Sequence, residues 1–306
     1  MPNPQSLKKR LKSVKNIAKI TKSMQLVAVS KVQKYQAITY HVNQYMDELL
    51  SLLHTLQIGE IPKRFTHHFQ YSIQNPKTDS QLLVLLAPTR GFTGILIANY
   101  IHTLRRFLNS SSRKETVIIG LHKKATDIAN SLNTSIQFQY PKELTHITPE
   151  NIEDFFNYIM LIRKQSNINT TYICYPRFKN IFTYEIRVEQ YLPIPTLLTN
   201  NDNSRSDYYD QSVRKLQSFT PNTQTEYLLE PDKEKVIQKI LELYLEGYLT
   251  YAVANLNASE FSARMIAMKN ANDNAIELQH SLMQEFNKVR QTNITNMISD
   301  IIRANI

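Results

Sequence analysis

The side chains able to do bond chemistry are few and scattered along these 306 residues. The eight histidines, at 41, 54, 67, 68, 102, 122, 146 and 280, could serve as metal ligands or general bases, yet they show no ligand spacing, and His67-His68 reads as an exposed turn. The single Cys174 excludes an internal disulfide and any CxxC-type metal site, which fits a reducing compartment and a structural thiol. Gly91 and Gly94, next to an apolar run, come nearest to a phosphate-binding loop. However, the chain contains neither GxGxxG nor GxxxxGK followed by Ser or Thr, and no GxSxG elbow. We therefore expect no catalytic residue, no cofactor and no metal, and look to contact rather than catalysis for function.

Charge is the stronger signal. Against a net +10, residues up to Met46 carry nine cations (Lys8, Lys9, Arg10, Lys12, Lys15, Lys19, Lys22, Lys31 and Lys34) and no Asp or Glu. Nine like charges would suit a solvated helix face, but without local counter-ions they leave every i, i+4 ion pair unmade, so an acidic partner from outside would stabilise a helix here. Nucleic acid is one such partner, but no aromatic precedes Tyr35, and no zinc-finger, helix-turn-helix or RNP pattern is present. An acidic protein surface fits at least as well.

The elements that present this charge show in the Gly and Pro distribution. Ten of twelve Pro and four of five Gly fall between Gly59 and Pro231, leaving two long uninterrupted ends. In the first, Leu7, Leu11, Val14, Ala18, Thr21, Gln25, Ala28, Val32 and Tyr35 alternate at spacings of four and three, a heptad seam. Ile17, Ile20, Met24 and Val27 form a second apolar strip, implying a second neighbour. The last segment opens at Glu230-Pro231-Asp232, which predicts Pro at the first helical position, and stays apolar-periodic through Tyr244, Phe261, Met268, Ala275, Leu278, Leu282, Phe286, Val289, Met297 and Ile301. At about 1.5 Å per residue these helices reach about 75 Å and on the order of 110 Å, so both must project from any globular body.

Between them, extended runs at 81–87, 116–119, 135–140 and 170–175 alternate with helical patterns at 97–108, 125–132 and from Thr148-Pro149 onward. This alternation predicts an α/β fold: a central Rossmann-like domain with a mostly parallel sheet, flanked by an antiparallel coiled coil of the N- and C-terminal helices. Phe182, Tyr184, Ile186 and Val188 alternate with polar residues, as on an edge or antiparallel strand. The expected boundaries are 1–58 and 231–306 for the coil helices and 75–225 for the domain, with an Asn-, Asp- and Ser-rich mobile loop over 199–225. The chain can build one or two packed domains, and its 20% charged residues and mean hydropathy of −0.37 exclude a disordered charged tail. Apolar runs such as 82–87 fall well short of the roughly 18–20 residues of a membrane span, and the basic start lacks the apolar stretch of a signal peptide, so we read it as mature protein.

LKSVKNIAKITKSMQLVAVSKVQK (Leu11 to Lys34) resembles the opening of the ATP synthase gamma subunit, and ASEFSARMIAMKNANDNAIELQHSLMQEFNKVRQTNITNMISDII (Ala258 to Ile302) is similar to that family's C-terminal signature. APTRGFTG (87–94), YPRFKNIFTYEIRVEQYLPI (175–194) and YLLEPD (227–232) match inner stretches in the family's order. The resemblance implies the rotating shaft of an F-type ATP synthase, a single non-catalytic copy per complex. Its coil would enter the ring of alpha and beta subunits, and its domain would rest with an epsilon-type subunit on the membrane-embedded c-ring. It also implies a peripheral position on the cytoplasmic side of a bacterial inner membrane, with no nucleic-acid partner. By position, Lys22, Met24, Arg264, Arg290, Gln291 and Thr295 match contacts with the alpha/beta ring, and Tyr227 and Glu230 match the foot. A rotor of a related motor without an ion channel is the alternative, and a basic coiled-coil nucleic-acid binder a more distant one. Where the family reads RGLCGGLN, this chain has RGFTGILI from Arg90, with Ile95 replacing the second Gly of a pair, which predicts different local packing. The paired cysteines of the redox-controlled chloroplast form are absent, so no thiol regulation is expected.

Overall fold

A computed structural model describes residues 4–55, 80–110, 115–194 and 229–304. Helix α1 (Pro4–Thr55) is followed by β1 (Ser80–Leu86), α2 (Leu96–Ser110), β2 (Glu115–Leu121), α3 (Lys123–Asn130), β3 (Phe138–Tyr140), α4 (Pro149–Gln165), β4 (Thr170–Asn180), β5 (Thr183–Leu192) and α5 (Lys233–Ala304). The terminal helices hold 52 and 72 residues. The segment expected to be a mobile loop, 199–225, lies outside the described residues, as does Tyr227.

The five strands form one sheet in the order β3-β2-β1-β4-β5. The pairs β3/β2, β2/β1 and β1/β4 are parallel and β4/β5 is an antiparallel hairpin, so the Phe182–Val188 alternation does mark an antiparallel edge strand. Every residue of central β1 is buried, because helices cover both faces. Alternate side chains serve the two sides: Leu82, Val84 and Leu86 join Met46 of α1, Phe155 of α4 and Leu249 of α5. Leu83 and Leu85 join Tyr100 of α2, Ile128 of α3 and Cys174.

Local chemistry sets the element ends. Thr148 caps α4, its hydroxyl accepting from the Asn151 N–H, with Pro149 in the first turn as expected. At α5 the cap is Asp232, whose carboxylate accepts from the Lys235 N–H at 2.8 Å, so Pro231 sits one residue outside the helix rather than at its first position. Strand β3 begins at Phe138, later than the extended run at 135–140 predicted. The Gln137 side chain accepts the Ile118 N–H at 2.7 Å and thereby replaces the ladder there. Gly120 meets a packing need: a Cβ there would lie 2.7 Å from Ile136 Cδ1 and 3.0 Å from Ala125 Cβ.

The long helices run antiparallel. Gly247 faces Met46, while further along Tyr35 stacks on Phe261 with centroids 5.7 Å apart and planes at 9°. All nine positions of the α1 heptad are buried or half-buried. The facing seam of α5 runs through Met268, Asn272, Ala275, Gln279, Leu282, Phe286 and Val289. Leu278, assigned above to the apolar run, is 46% exposed, because polar Asn272 and Gln279 occupy seam positions that apolar periodicity passes over.

Candidate functional site

Burial divides α5 into two regimes. Every residue from Tyr251 to Glu260 is buried, wrapped by the domain and α1, whereas from Lys269 to Ser299 only Asn272, Ala275 and Leu282 are fully buried. Beyond the Tyr35–Phe261 stack the described residues form a bare two-helix coil. Of the nine α1 cations, Lys31 is half-buried and the other eight are exposed, and among the described residues none of the nine joins a salt bridge. Lys22 reaches only Gln25 Oε1, at 3.3 Å. The second apolar strip, Ile17, Ile20, Met24 and Val27, is exposed. Met24 belongs to this strip, Lys22, two residues earlier, is exposed on a different side of α1, and Arg290, Gln291 and Thr295 are exposed on the last turns of α5. There Ile294, Met297, Ile298, Ile301 and Ile302 make a further apolar surface at the tip. Glu230 is exposed at the opposite end of α5.

Arg264 is placed differently from the other residues that the resemblance matched to the ring. It is 8% exposed, ion-paired with the buried Glu260 one turn earlier and lying over the Phe261 ring at 4.9 Å. Glu260 also accepts the Thr89 N–H at 2.9 Å and the Thr89 hydroxyl. Thr89 lies in the loop after β1, the place where doubly wound sheets receive a ligand phosphate. Here a carboxylate of α5 takes that position, so the loop anchors the domain to the coil. Sequence reasoning missed Glu260. Its signal is the polar series Asn255, Asn257, Ser259, Glu260 and Ser262 inside a buried stretch of helix, each of which finds a partner. Asn255 Oδ1 accepts the Phe178 N–H at 3.0 Å, Ser259 donates to Pro176 O, and Ser262 donates to Ile181 O.

Further anchors lie close by. Leu144 O accepts from Asn257 Nδ2 at 3.1 Å, and Thr145 O accepts from the Tyr35 hydroxyl, so one loop is tied to both coil helices. Glu189 on β5 is buried and accepts hydroxyls from Tyr175, at 2.8 Å, and from Tyr248 of α5. Burial pushes both phenols well above their ordinary range, so they stay protonated donors. The RGFTGILI turn is open: Gly94 has φ +55° with no heavy atom within 4 Å of where a Cβ would lie, and Phe92 and Ile95 are 72% and 69% exposed. Ile95 thus points into solvent and does not crowd the backbone.

The geometry is that of a projecting asymmetric coil fastened to a small α/β domain, with its contact surfaces on the coil. Comparison with known proteins gives the same architecture a family. A family model described as ATP synthase matches residues 3–305. The ATP synthase gamma chain of Roseiflexus sp. (strain RS-1) is 29% identical over 98% of this chain and 97% of its own length. That of Methylibium petroleiphilum is 30% identical over 96% and 94%. Among solved structures, a chain of the Euglena gracilis mitochondrial ATP synthase (OSCP/F1/c-ring, rotational state 3) superposes with a TM-score of 0.60 at 15% identity, covering 98% of this chain and 92% of that one. A central-stalk chain of the Tetrahymena thermophila enzyme gives 0.55 over 82% and 99%. With nearly its whole length matched, the chain belongs to the ATP synthase gamma chain family.

Proposed function

We propose that this chain is the central shaft of a rotary ATP synthase, transmitting torque between a membrane ring and catalytic sites carried by its partners. The observation that carries the reading is the bare coil, roughly 45 Å of two-stranded helix beyond the Tyr35–Phe261 level, whose α1 cations join no salt bridge among the described residues and whose apolar strip is exposed. A ring of alpha and beta subunits closing around it supplies both missing partners: acidic loops for the lysines and an apolar sleeve for Ile17, Ile20, Met24 and the tip isoleucines. The two helices present different surfaces, so a turning coil offers each catalytic subunit a different contact in succession. Contact that differs from site to site is what biases a binding equilibrium. Bond chemistry resides on the beta subunits.

Lys22, Met24, Arg290, Gln291 and Thr295 are the proposed surface contacts with the ring. Arg264 acts through the Glu260 pair at the level where the coil leaves the domain. Glu230, with Tyr227, belongs to the foot, where an epsilon-type subunit and the c-ring bind. The shaft is peripheral on the cytoplasmic side of the membrane; no helix among the described residues is long and apolar enough to cross it. Purifying the tagged full-length chain from its native cell in mild detergent, then identifying the bound proteins, tests the reading. Recovery of alpha, beta and a small hydrophobic ring protein is expected. A head without the ring protein would point to a motor without an ion channel, and recovery of neither would overturn the shaft assignment.

A further inference from the structure

His122 stands between β2 and α3, at the junction of three anchors, and serves none of the contacts proposed above. It is buried, and its backbone has φ 66° and ψ 159°, a region that residues with a side chain rarely enter. The Leu144 N–H donates to Nε2 at 3.1 Å, so Nε2 is bare and the ring proton sits on Nδ1, which lies 2.8 Å from Ala87 O. Each bond reaches a loop that is itself fixed to the coil. Two residues after Ala87, Thr89 is bonded to Glu260. The loop at 141–148 is bonded through Leu144 O to Asn257 of α5 and through Thr145 O to Tyr35 of α1. The imidazole therefore directly links the two loops by which this side of the domain grips the shaft.

We propose that His122 is a proton-sensitive latch: neutral, it clamps the 141–148 loop to the β1 loop and so to both coil helices, and a proton on Nε2 releases that loop. The proton would place a donor against the Leu144 N–H, removing an acceptor and setting two N–H groups face to face. The surrounding charges are few. Glu260 of α5 and Glu143 of the loop favour the charged ring, but Glu260 is already engaged by Arg264. On its own helix Lys123 is exposed and Lys124 pairs with Asp127 at 2.6 Å, while Tyr100 of α2 is held neutral by burial and bonds Leu86 O. Burial outweighs the Ala87 hydrogen bond and the two carboxylates and pushes the imidazole below its ordinary value of 6.5, so the latch is closed at neutral pH. Because the released ring titrates near 6.5, the opening equilibrium grows as pH falls from 7.5 to 5.5, by up to about tenfold for one proton.

The latch rests on local geometry alone; only its consequence, a looser joint between domain and shaft in acid, depends on the shaft reading. Hydrogen exchange of the full-length chain, followed at Lys142–Ile147 and corrected for intrinsic rates, provides the test. We expect more opening of this segment at pH 5.5 than at 7.5, by up to about tenfold, and a pH-independent value in His122→Gln, which keeps an acceptor that does not titrate. No pH dependence in the native chain, or the same dependence in the variant, would overturn the proposal. The native chain also decides the matter without a variant: the imidazole nitrogen resonances at pH 7.5 should show Nδ1 protonated and Nε2 bare, and the opposite tautomer would remove the latch. Because none of these measurements involves partner subunits, failure here leaves the shaft reading standing, and failure to recover the ring leaves the latch standing.

Discussion

Glu260 illustrates how one side chain holds a fold together through what it leaves exposed when lost. Its carboxylate is 1% exposed and serves Thr89 and Arg264, so Glu260→Ala strands a buried guanidinium and an amide donor. Breaking such a pair from one side costs about 3–5 kcal/mol, which urea unfolding of the variant should report. A drop below about 1 kcal/mol would mean that water replaces the carboxylate. Glu246 has the opposite sign. Burial, reinforced by Glu242, raises its pKa in the fold, so the native state binds this proton more readily than the unfolded chain does. Its penalty is present at neutral pH and fades as pH falls through the raised value. Glu246→Gln should therefore stabilise slightly at pH 7, by about 0.5 kcal/mol or less for a partly exposed group, with the gain gone near pH 3.5. An unchanged gain at low pH would show that packing, not charge, is responsible.

Among the elements, the coil gives the sharpest contrast. Leu282 is 4% exposed and Leu278 is 46% exposed, although apolar periodicity alone does not separate them. Leu282→Asp, alone or with Phe286→Asp, buries a charge in the seam and should cost about 3 kcal/mol or more, with loss of helical circular dichroism. Leu278→Asp should cost under about 0.5 kcal/mol. Equal effects would shift the seam by one residue. In the sheet, Gly120→Ala forces a methyl against Ile136 and Ala125, and a loss of about 1–3 kcal/mol in denaturant unfolding is expected.

For the assembled rotor, the last turns of α5 separate holding from driving. Leu7, at the far end of α1, is buried against the facing seam, while Asn293 to Ser299 are exposed. Deleting Asn293–Ile306 leaves that seam intact. It should leave the isolated chain as stable as before and the complex assembled, while weakening the coupling of ATP hydrolysis to ion pumping in reconstituted vesicles. Loss of the complex on this deletion would show that the tip is needed to hold the ring.

Much of this architecture could be read from residue order, because periodicity reports burial. The heptad at Leu7 to Tyr35 needed only a helix and a partner, and the alternating apolar runs needed only a sheet with two covered faces. The bare cations and the Met24 strip were equally legible, since a solvated charge or an unburied apolar strip is visible wherever its counterpart is missing. Pairings between polar residues far apart in the chain were not. Glu260 with Thr89, 171 positions away, and Tyr35 with Thr145, 110 away, follow no period, and either partner alone resembles a solvated side chain. The same holds for Arg264, whose pairing with the buried Glu260 only the packing shows. Hydrophobic burial is additive along a helix face and so appears in one dimension, whereas a buried polar group is tolerable only beside a particular partner, and that partner is chosen by the folding of the chain in three.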